Sequence, residues 1–358
     1  MAKKRSKKKN RKVLWAFICI ALALIVSSAS LVITVFVSPV MKDDYYLYIG
    51  RDGDYKDVID SLENSGAVKM WKFKLLSRVF KYDKHVKNGH FFLSNNQSGT
   101  YTIRKLRAGD QDEKKLTFNR LLSIEDAAGK LSRNLEIDST EFFRILSDNN
   151  FLDNYSLDGV PVTRDNVLAC FIPNTYYVFW DIKPEELFHR LYFEQNKFWT
   201  PQRLEQAAEI KMNRTQVMIL ASIVEMETDY NSEKAKIASV YLNRLRRGMP
   251  LQADPTVKFT AGDVSIKRIL FSHLKIESPY NTYLHKGLPP GPICTPTLSS
   301  INAILKNEKH PYYYFCANPD FSGTHLFAIT GEEHAKNATE YHKALEARKE
   351  QRKPNKAE

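Results

Sequence analysis

A chain of 358 residues is long enough for two or three domains, each with its own core. Its formal charge of +12 suggests nucleic acid, but eight of those charges fill the first twelve residues and only +4 remains elsewhere. The basic end is a tail, so nucleic-acid binding is excluded as the main function. Cys19, Cys170, Cys294 and Cys316 form no CxxC or Cys/His spacing, which excludes a zinc centre on pattern.

The basic tail, residues 1–12, is followed by "VLWAFICIALALIVSSASLVITVFV", residues 13–37, with no charge. As a helix it spans about 37 Å, enough for a hydrocarbon core of about 30 Å. A cleaved signal peptide is the competing reading, but the apolar run exceeds the usual signal core of about 7–15 residues. An uncleaved single transmembrane helix is expected. The positive-inside tendency puts residues 1–12 in the cytoplasm and the remainder outside. Cys19 lies in the span, so the three outer cysteines can form at most one internal disulfide, or stay as buried free thiols.

Past the span, "YYLYIG" alternates like a strand, "DYKDVIDSLENSGAV" and "KMWKFKLLSRVFKY" read as amphipathic helices, and "GHFFL" reads as a returning strand. This strand–helix–helix–strand order is similar to a LysM-like module, placed at 44–112. "YTIRKLRAG" predicts a helix ended by Gly109, and "KKLTFNRLL" a strand. "SIEDAAGKLSRNL" predicts a helix capped by Ser123. "DSTEFFRILSD" and "KPEELFHRLYFEQNKFW" predict two more helices around β-prone "CFIPNTYYVFW". Residues 113–200 form a connecting α/β region, 201–348 the principal domain, and 349–358 a disordered tail. The fold class is α+β.

In "LASIVEMET", residues 220–228, two acids interrupt an apolar helical segment. Two residues turn a helix by about 200°, so Glu225 and Glu227 point to nearly opposite sides and cannot flank one bond. Ordinary glycosidases need two carboxyls about 5–9.5 Å apart. A single acid on an apolar face, its pKa raised by burial toward about 6–7, suits a lone proton shuttle instead. Alternatively, each Glu pairs with an Arg, Arg244 or Arg246 being the candidates. Downstream, "KIASVYLNRLRRGMPLQADPTVKF" predicts a helix closed by Gly248, then a loop holding Gln252, Asp254 and Thr256. Asn243 and Arg244 either face a cleft or cap the helix end. "SPYNTYLHKGLPPGPICTPT" has five prolines and two glycines in twenty residues, a rigid loop suited to a binding wall or to a structural role. "HPYYYFCANPDFSGTHLFAITGEEH" predicts a strand, a turn at Gly323, a strand bearing His325, and a helix start.

"LASIVEMET", "IASVYLNRLRRGMPLQADPTV", "SPYNTY", "GLPPGPI" and "GTHLFAITGEEH", in this order, resemble the YceG-like endolytic murein transglycosylases (MltG). The resemblance implies a membrane-anchored enzyme with a C-terminal mixed α+β catalytic domain. It would cleave the MurNAc-β-1,4-GlcNAc bond of peptidoglycan strands without water, leave a 1,6-anhydro end, and terminate nascent glycan. It implies no metal and no cofactor. Glu225, the first acid of the motif, is implied as the catalytic acid and Glu227 as a supporting or substrate-orienting group. Gln252, Asp254, Asn281, Tyr283 and His325 match cleft positions. Asn174, Thr295 and the spacing after His334 depart from the family pattern. The implied setting is the outer face of the bacterial cytoplasmic membrane, beside wall synthases including penicillin-binding proteins. The rivals are a non-catalytic membrane-anchored glycan-binding scaffold and a two-carboxylate hydrolase using Asp254 or Glu233.

Overall fold

The computed structural model describes residues 2–351 except 264 and 267, with side chains from 13 to 350. The side chains of the basic tail, and residues 352–358 of the expected disordered tail, lie outside the described residues. The remaining residues expected in that tail, 349–351, are helical.

Helix α1, Ala2–Val32, runs on as a π-helical turn, Ile33–Val37. Its segment Val13–Val37 is long and apolar enough to cross a membrane; its side chains are exposed through Thr34, while Val35 is buried in the core that follows. That fits a single-pass anchor. The expected strand–helix–helix–strand order follows: β1 (Tyr45–Ile49), α2 (Tyr55–Ser65), α3 (Met70–Val79) and β2 (Gly89–Leu93), the strands pairing antiparallel. Helix α2 starts in a capping box. Asp54 Oδ1 accepts from the Asp57 backbone at 3.0 Å, and Asp57 returns the bond at 2.9 Å. Leu47, Ile49, Leu62, Phe73, Leu76 and Phe91 form the core of this unit, which α4 (Gly99–Ala108) completes with Ile103 and Leu106. Lys72 is buried within it. Its ammonium donates to the carbonyls of Thr34 (2.7 Å) and Ser38 (2.5 Å), which a helix end leaves unsatisfied.

This first compact unit comprises the chain to Lys115 together with Tyr177–Ile182; the second comprises Leu116–Tyr176 and the chain from Lys183. The sequence gives no sign that residues 177–182 belong with the small module. Strand β3 (Lys114–Phe118) leads into α5 (Ile124–Ser132), α6 (Ser139–Ser147), α7 (Asn149–Leu152) and a small hairpin, β4 (Ser156–Leu157) with β5 (Val160–Pro161). Ser123 caps α5 as expected, accepting from the Asp126 backbone at 3.1 Å. Strand β6 (Asn174–Val178) pairs with β3, and α8 (Pro184–Phe198) and α9 (Pro201–Glu209) follow.

Three helices carry the rest: α10 (Arg214–Glu227), α11 (Asn231–Arg246) and, after α12 (Asp254–Thr260), α13 (Leu298–Lys306). Asn213 and Gln216 form a reciprocal capping box that starts α10, and extended Thr228 ends it directly after Glu227. Val217, Met218, Leu220, Ile223 and Val224 of α10 are fully buried or nearly so, each side chain contributing about 1.5–3 kcal/mol. Strands β7 (Tyr314–Ala317) and β8 (His325–Ala328) make an antiparallel hairpin that places Ala317 opposite His325, and α14 (Gly331–Gln351) ends the described chain. The hairpin and helix start match expectation, as does the α+β class. One expected loop is instead helical: Asp254 opens α12 and Thr256 lies in its first turn. All four cysteines are free, with Cys170 and Cys294 buried.

Candidate active site

Helix α10 presents its two acids to different surroundings. Glu225 is 3% exposed. Its Oε2 accepts from Lys234 Nζ of α11 at 2.9 Å, and from the hydroxyls of Thr297 and Ser300 at 2.5 Å each. The Thr297 backbone N–H adds a longer bond at 3.3 Å, and Arg120 Nη2 lies 3.3 Å from Oε1. Thr297 is the N-cap of α13, so the carboxylate sits where a helix favours negative charge. Glu225 thus ties α10 to α11 and to the start of α13. Burial pushes its carboxyl upward, but the Ser300, Thr297 and Lys234 hydrogen bonds and the Lys234 charge outweigh this and hold it below the usual carboxylate value. That direction is opposite to the upward shift that burial alone would give Glu225. Its partners are Lys234 and Arg120, not Arg244 or Arg246.

Glu227 is half-buried on the wall of a cavity of about 520 Å³. Its Oε1 accepts from the Tyr241 hydroxyl. Burial, with the nearby Asp254 charge, pushes its pKa up to about 7, against the opposing effects of the Tyr241 hydrogen bond and the Lys258 and Arg244 charges. This is the environment the sequence led one to expect for the other acid. Such an environment suits a carboxyl that exchanges a proton near neutrality.

The cavity is built from α10, α11, α12, the 278–283 loop, the β7–β8 hairpin and α14. Among the residues singled out in the sequence, Glu227, Arg244, Gln252, Asp254, Tyr283 and His325 line it; Glu225, Asn243 and Asn281 do not. Asp254 Oδ1 accepts from the Tyr283 hydroxyl at 2.6 Å, and burial and Asp254 together raise the pKa of that phenol. Arg244 donates to the carbonyls of Tyr313 (2.7 Å) and Leu251 (2.8 Å), fixing the hairpin and the loop before α12. Gln252 holds a left-handed backbone, φ 51°, costly for a non-glycine residue. Its N–H bonds the Thr282 carbonyl at 3.1 Å, which pins it against the 278–283 loop.

Asn243 and Asn281 spend their amide N–H groups on backbone carbonyls. Asn243 donates to the carbonyls of His310 (2.7 Å) and Tyr312 (3.0 Å). Asn281 is fully buried and donates to Leu274 (3.0 Å) and Ile276 (2.8 Å). The proline-rich loop packs tightly too: a Cβ on Gly291 would stand 1.7 Å from the Asp165 carbonyl oxygen. Of the departures from the family pattern, Thr295 is buried and accepts from the Leu121 backbone at 2.8 Å, and Asn174 is exposed on β6. Tyr241, Phe315, His334, Tyr341 and His342 also line the cavity and were not recognised in the sequence as lining it. Helical spacing could have flagged Tyr241, which precedes the noted Asn243 and Arg244. The residues of α14 carry no such signal. No group of three or more His, Cys, Asp or Glu able to hold a metal occurs among the described residues.

A carboxyl with its pKa raised to about 7 on a cavity wall of an α+β unit is a candidate general acid. The YceG-like family matches residues 47–340, and the chain belongs to that family. It is 42% identical over 137 residues to an endolytic murein transglycosylase of Bacillus subtilis, covering 37% of each chain. It is 24% identical over 323 residues to an endolytic murein transglycosylase of Streptococcus pneumoniae, covering 83% of this chain and 58% of that one. The chain thus spans well under two thirds of the length of these relatives. The crystal structure of a YceG-like protein from Listeria monocytogenes superimposes with a TM-score of 0.53 at 26% identity, covering 82% of this chain and 99% of that one.

Proposed function

We propose that the chain is a membrane-anchored endolytic lytic transglycosylase of peptidoglycan, with Glu227 as its catalytic acid. The observation that carries this is the one cavity-facing carboxyl whose pKa is raised to about 7. Protonated Glu227 donates to the oxygen that bridges MurNAc to GlcNAc. The muramoyl 6-hydroxyl attacks the anomeric carbon of its own sugar, so the chain ends in a 1,6-anhydro ring and water takes no part. Arg244, Gln252, Tyr283 and His325 face the sugars, and Tyr241 orients the acid. Glu225 is assigned a structural role, because its charge is committed to Lys234, Arg120 and the start of α13.

The names of the Bacillus and Streptococcus relatives support the reaction class. The apolar α1 supports an anchor with residues 1–12 in the cytoplasm and the catalytic unit outside. Tethering confines the site to nascent strands at the membrane, raising effective concentration, and suits an enzyme that ends elongation beside penicillin-binding proteins. The small module takes the LysM-like, glycan-holding role.

Asp254 on the same cavity favours one rival, a hydrolase in which it activates water. Product mass separates the two readings. The full chain in detergent, given purified sacculi, is expected to leave anhydro-muramoyl ends and none from Glu227→Gln. Reducing ends, heavier by one water, from the unmutated chain would establish the hydrolase.

A further inference from the structure

His325 stands on β8, on the wall of the cavity that also holds Glu227. Glu233, in the first turn of α11, grips it twice. Oε1 accepts from the His325 backbone N–H at 2.9 Å, and Oε2 lies 2.9 Å from ring Nδ1. An ionised carboxylate can only accept hydrogen bonds, so Nδ1 carries the hydrogen. The ring nitrogen on the other edge, Nε2, then holds a free lone pair. It makes no hydrogen bond to any described residue.

Both Glu233 and the imidazole are largely screened from solvent, their side chains 12% and 14% exposed. The ring is packed edge-on against Phe315 at 5.3 Å between centroids. A carboxylate that fixes the tautomer of a histidine on a cavity wall leaves Nε2 as the nitrogen able to accept a proton during reaction. Neighbouring Lys234 turns away to Glu225 and does not compete for Glu233. Besides the phenols of Tyr241, Tyr283 and Tyr341 and the Cys316 thiol, the charged or titratable groups that share the cavity with Glu227 and His325 are Arg244, Asp254, His334 and His342.

We propose that His325, oriented by Glu233, is the general base that takes the proton from the muramoyl 6-hydroxyl. This rests on the transglycosylase reading above and divides its two proton transfers between two residues. In the step, the Glu227 proton passes to the bridging oxygen as the bond from anomeric carbon to oxygen breaks. The 6-oxygen bonds to that carbon, and its proton moves to His325 Nε2. Glu227 ends as carboxylate and His325 as imidazolium beside the Glu233 carboxylate. After product leaves, one proton returns through solvent from His325 to Glu227, which restores the starting state with no net gain or loss. Glu233 is a positioning residue and touches no substrate.

The clamp also bears on the rival hydrolase. Glu233 has both oxygens engaged and does not line the cavity, so it is not the second carboxylate such an enzyme needs.

The test uses the full chain in detergent with soluble glycan strands, counting anhydro ends by mass spectrometry. His325→Ala is expected to lower kcat by about 10²–10³-fold with KM within about threefold, as for loss of a general base. Added imidazole is expected to restore turnover at least tenfold, which loss of packing would not allow. Glu233→Gln is expected to lower kcat with KM steady, and the double variant to be no slower than His325→Ala. Should His325→Ala fail to fold, His325→Gln carries the same kcat and KM comparison. Turnover at the unmutated rate, or a loss carried by KM with no rescue, overturns the base. Absence of anhydro ends from the unmutated chain would instead remove the reading on which it rests.

Discussion

Glutamine at Glu225 and glutamine at Glu227 are nearly isosteric changes on one helix, yet they should do opposite things. Glu225→Gln removes the counter-charge of Lys234, whose side chain is 5% exposed, and leaves that ammonium buried. Breaking a buried pair in this way costs about 3–5 kcal/mol. Two features soften it: Lys234 keeps the Ser299 hydroxyl at 3.0 Å, and Arg120 is partly exposed with Asp229 nearby at 3.4 Å. About 2–4 kcal/mol is the expected net loss, or about 4–16 °C in the unfolding midpoint of a unit this size. Thermal unfolding followed by circular dichroism reads the stability, and anhydro-end formation on sacculi below the transition reads the activity. Glu225→Gln should melt early but turn over within about tenfold of the unmutated chain. Glu227→Gln should stay folded and make no product. A Glu225→Gln chain that melts normally and is inactive would return the catalytic proton to Glu225 and refute this reasoning.

Activity should fall as pH rises above about 7, because the proton-donating form of Glu227 is lost; a pH–rate profile checks this. The same raised pKa makes the folded chain bind the proton more tightly than the unfolded one, so stability should decline as pH rises from the ordinary carboxylate value, about 4.3, to about 7. Glu227→Gln should flatten that decline and be more stable near pH 8, by up to about 3 kcal/mol, which denaturant titrations at two pH values would show. Glu225 has the opposite sign. Its depressed pKa gives stability that is full above about 4.3 and lost as pH falls through its folded value, so acid unfolding should begin at higher pH once Glu225→Gln removes it. Tyr241→Phe deletes the hydrogen bond that opposes the rise in Glu227, and should move the alkaline fall in turnover to higher pH. Gly291→Ala forces the proline-rich loop off the Asp165 carbonyl, and should lower the unfolding midpoint by several degrees.

The element order was largely legible because periodicity, caps and turn glycines are local signals. Ser123, Gly109 and the β7–β8 hairpin are examples. Helix α13 was not recognised, although it supplies the N-terminus that receives Glu225. The helical repeat also separated the two acids correctly onto opposite sides of α10. It could not say which side faces the cavity. That depends on residues distant in the chain: Thr297 is 72 positions from Glu225, and Ser300 is 75. Both flanks of α10 are apolar in sequence, and only assembly shows that one is filled by cations and a helix start. Arg244 looked available to a carboxylate, but backbone carbonyls take its Nε and Nη1 donors. Asn281 matched a cleft position for a similar reason: its amide shapes the loop that carries Tyr283. Glu233 and His325 are 92 positions apart, so no spacing rule couples them.

The ionisation of Glu227 is open to direct measurement. Carboxyl carbons labelled with ¹³C at glutamate, with the Glu227 signal identified by its absence from Glu227→Gln, can be followed by NMR across pH 3 to 9. A titration centred near 7 for Glu227, with Glu225 already ionised below the usual carboxylate range, is the expected result. A Glu227 signal that titrates near 4, or a Glu225 signal that titrates near 7, would contradict it.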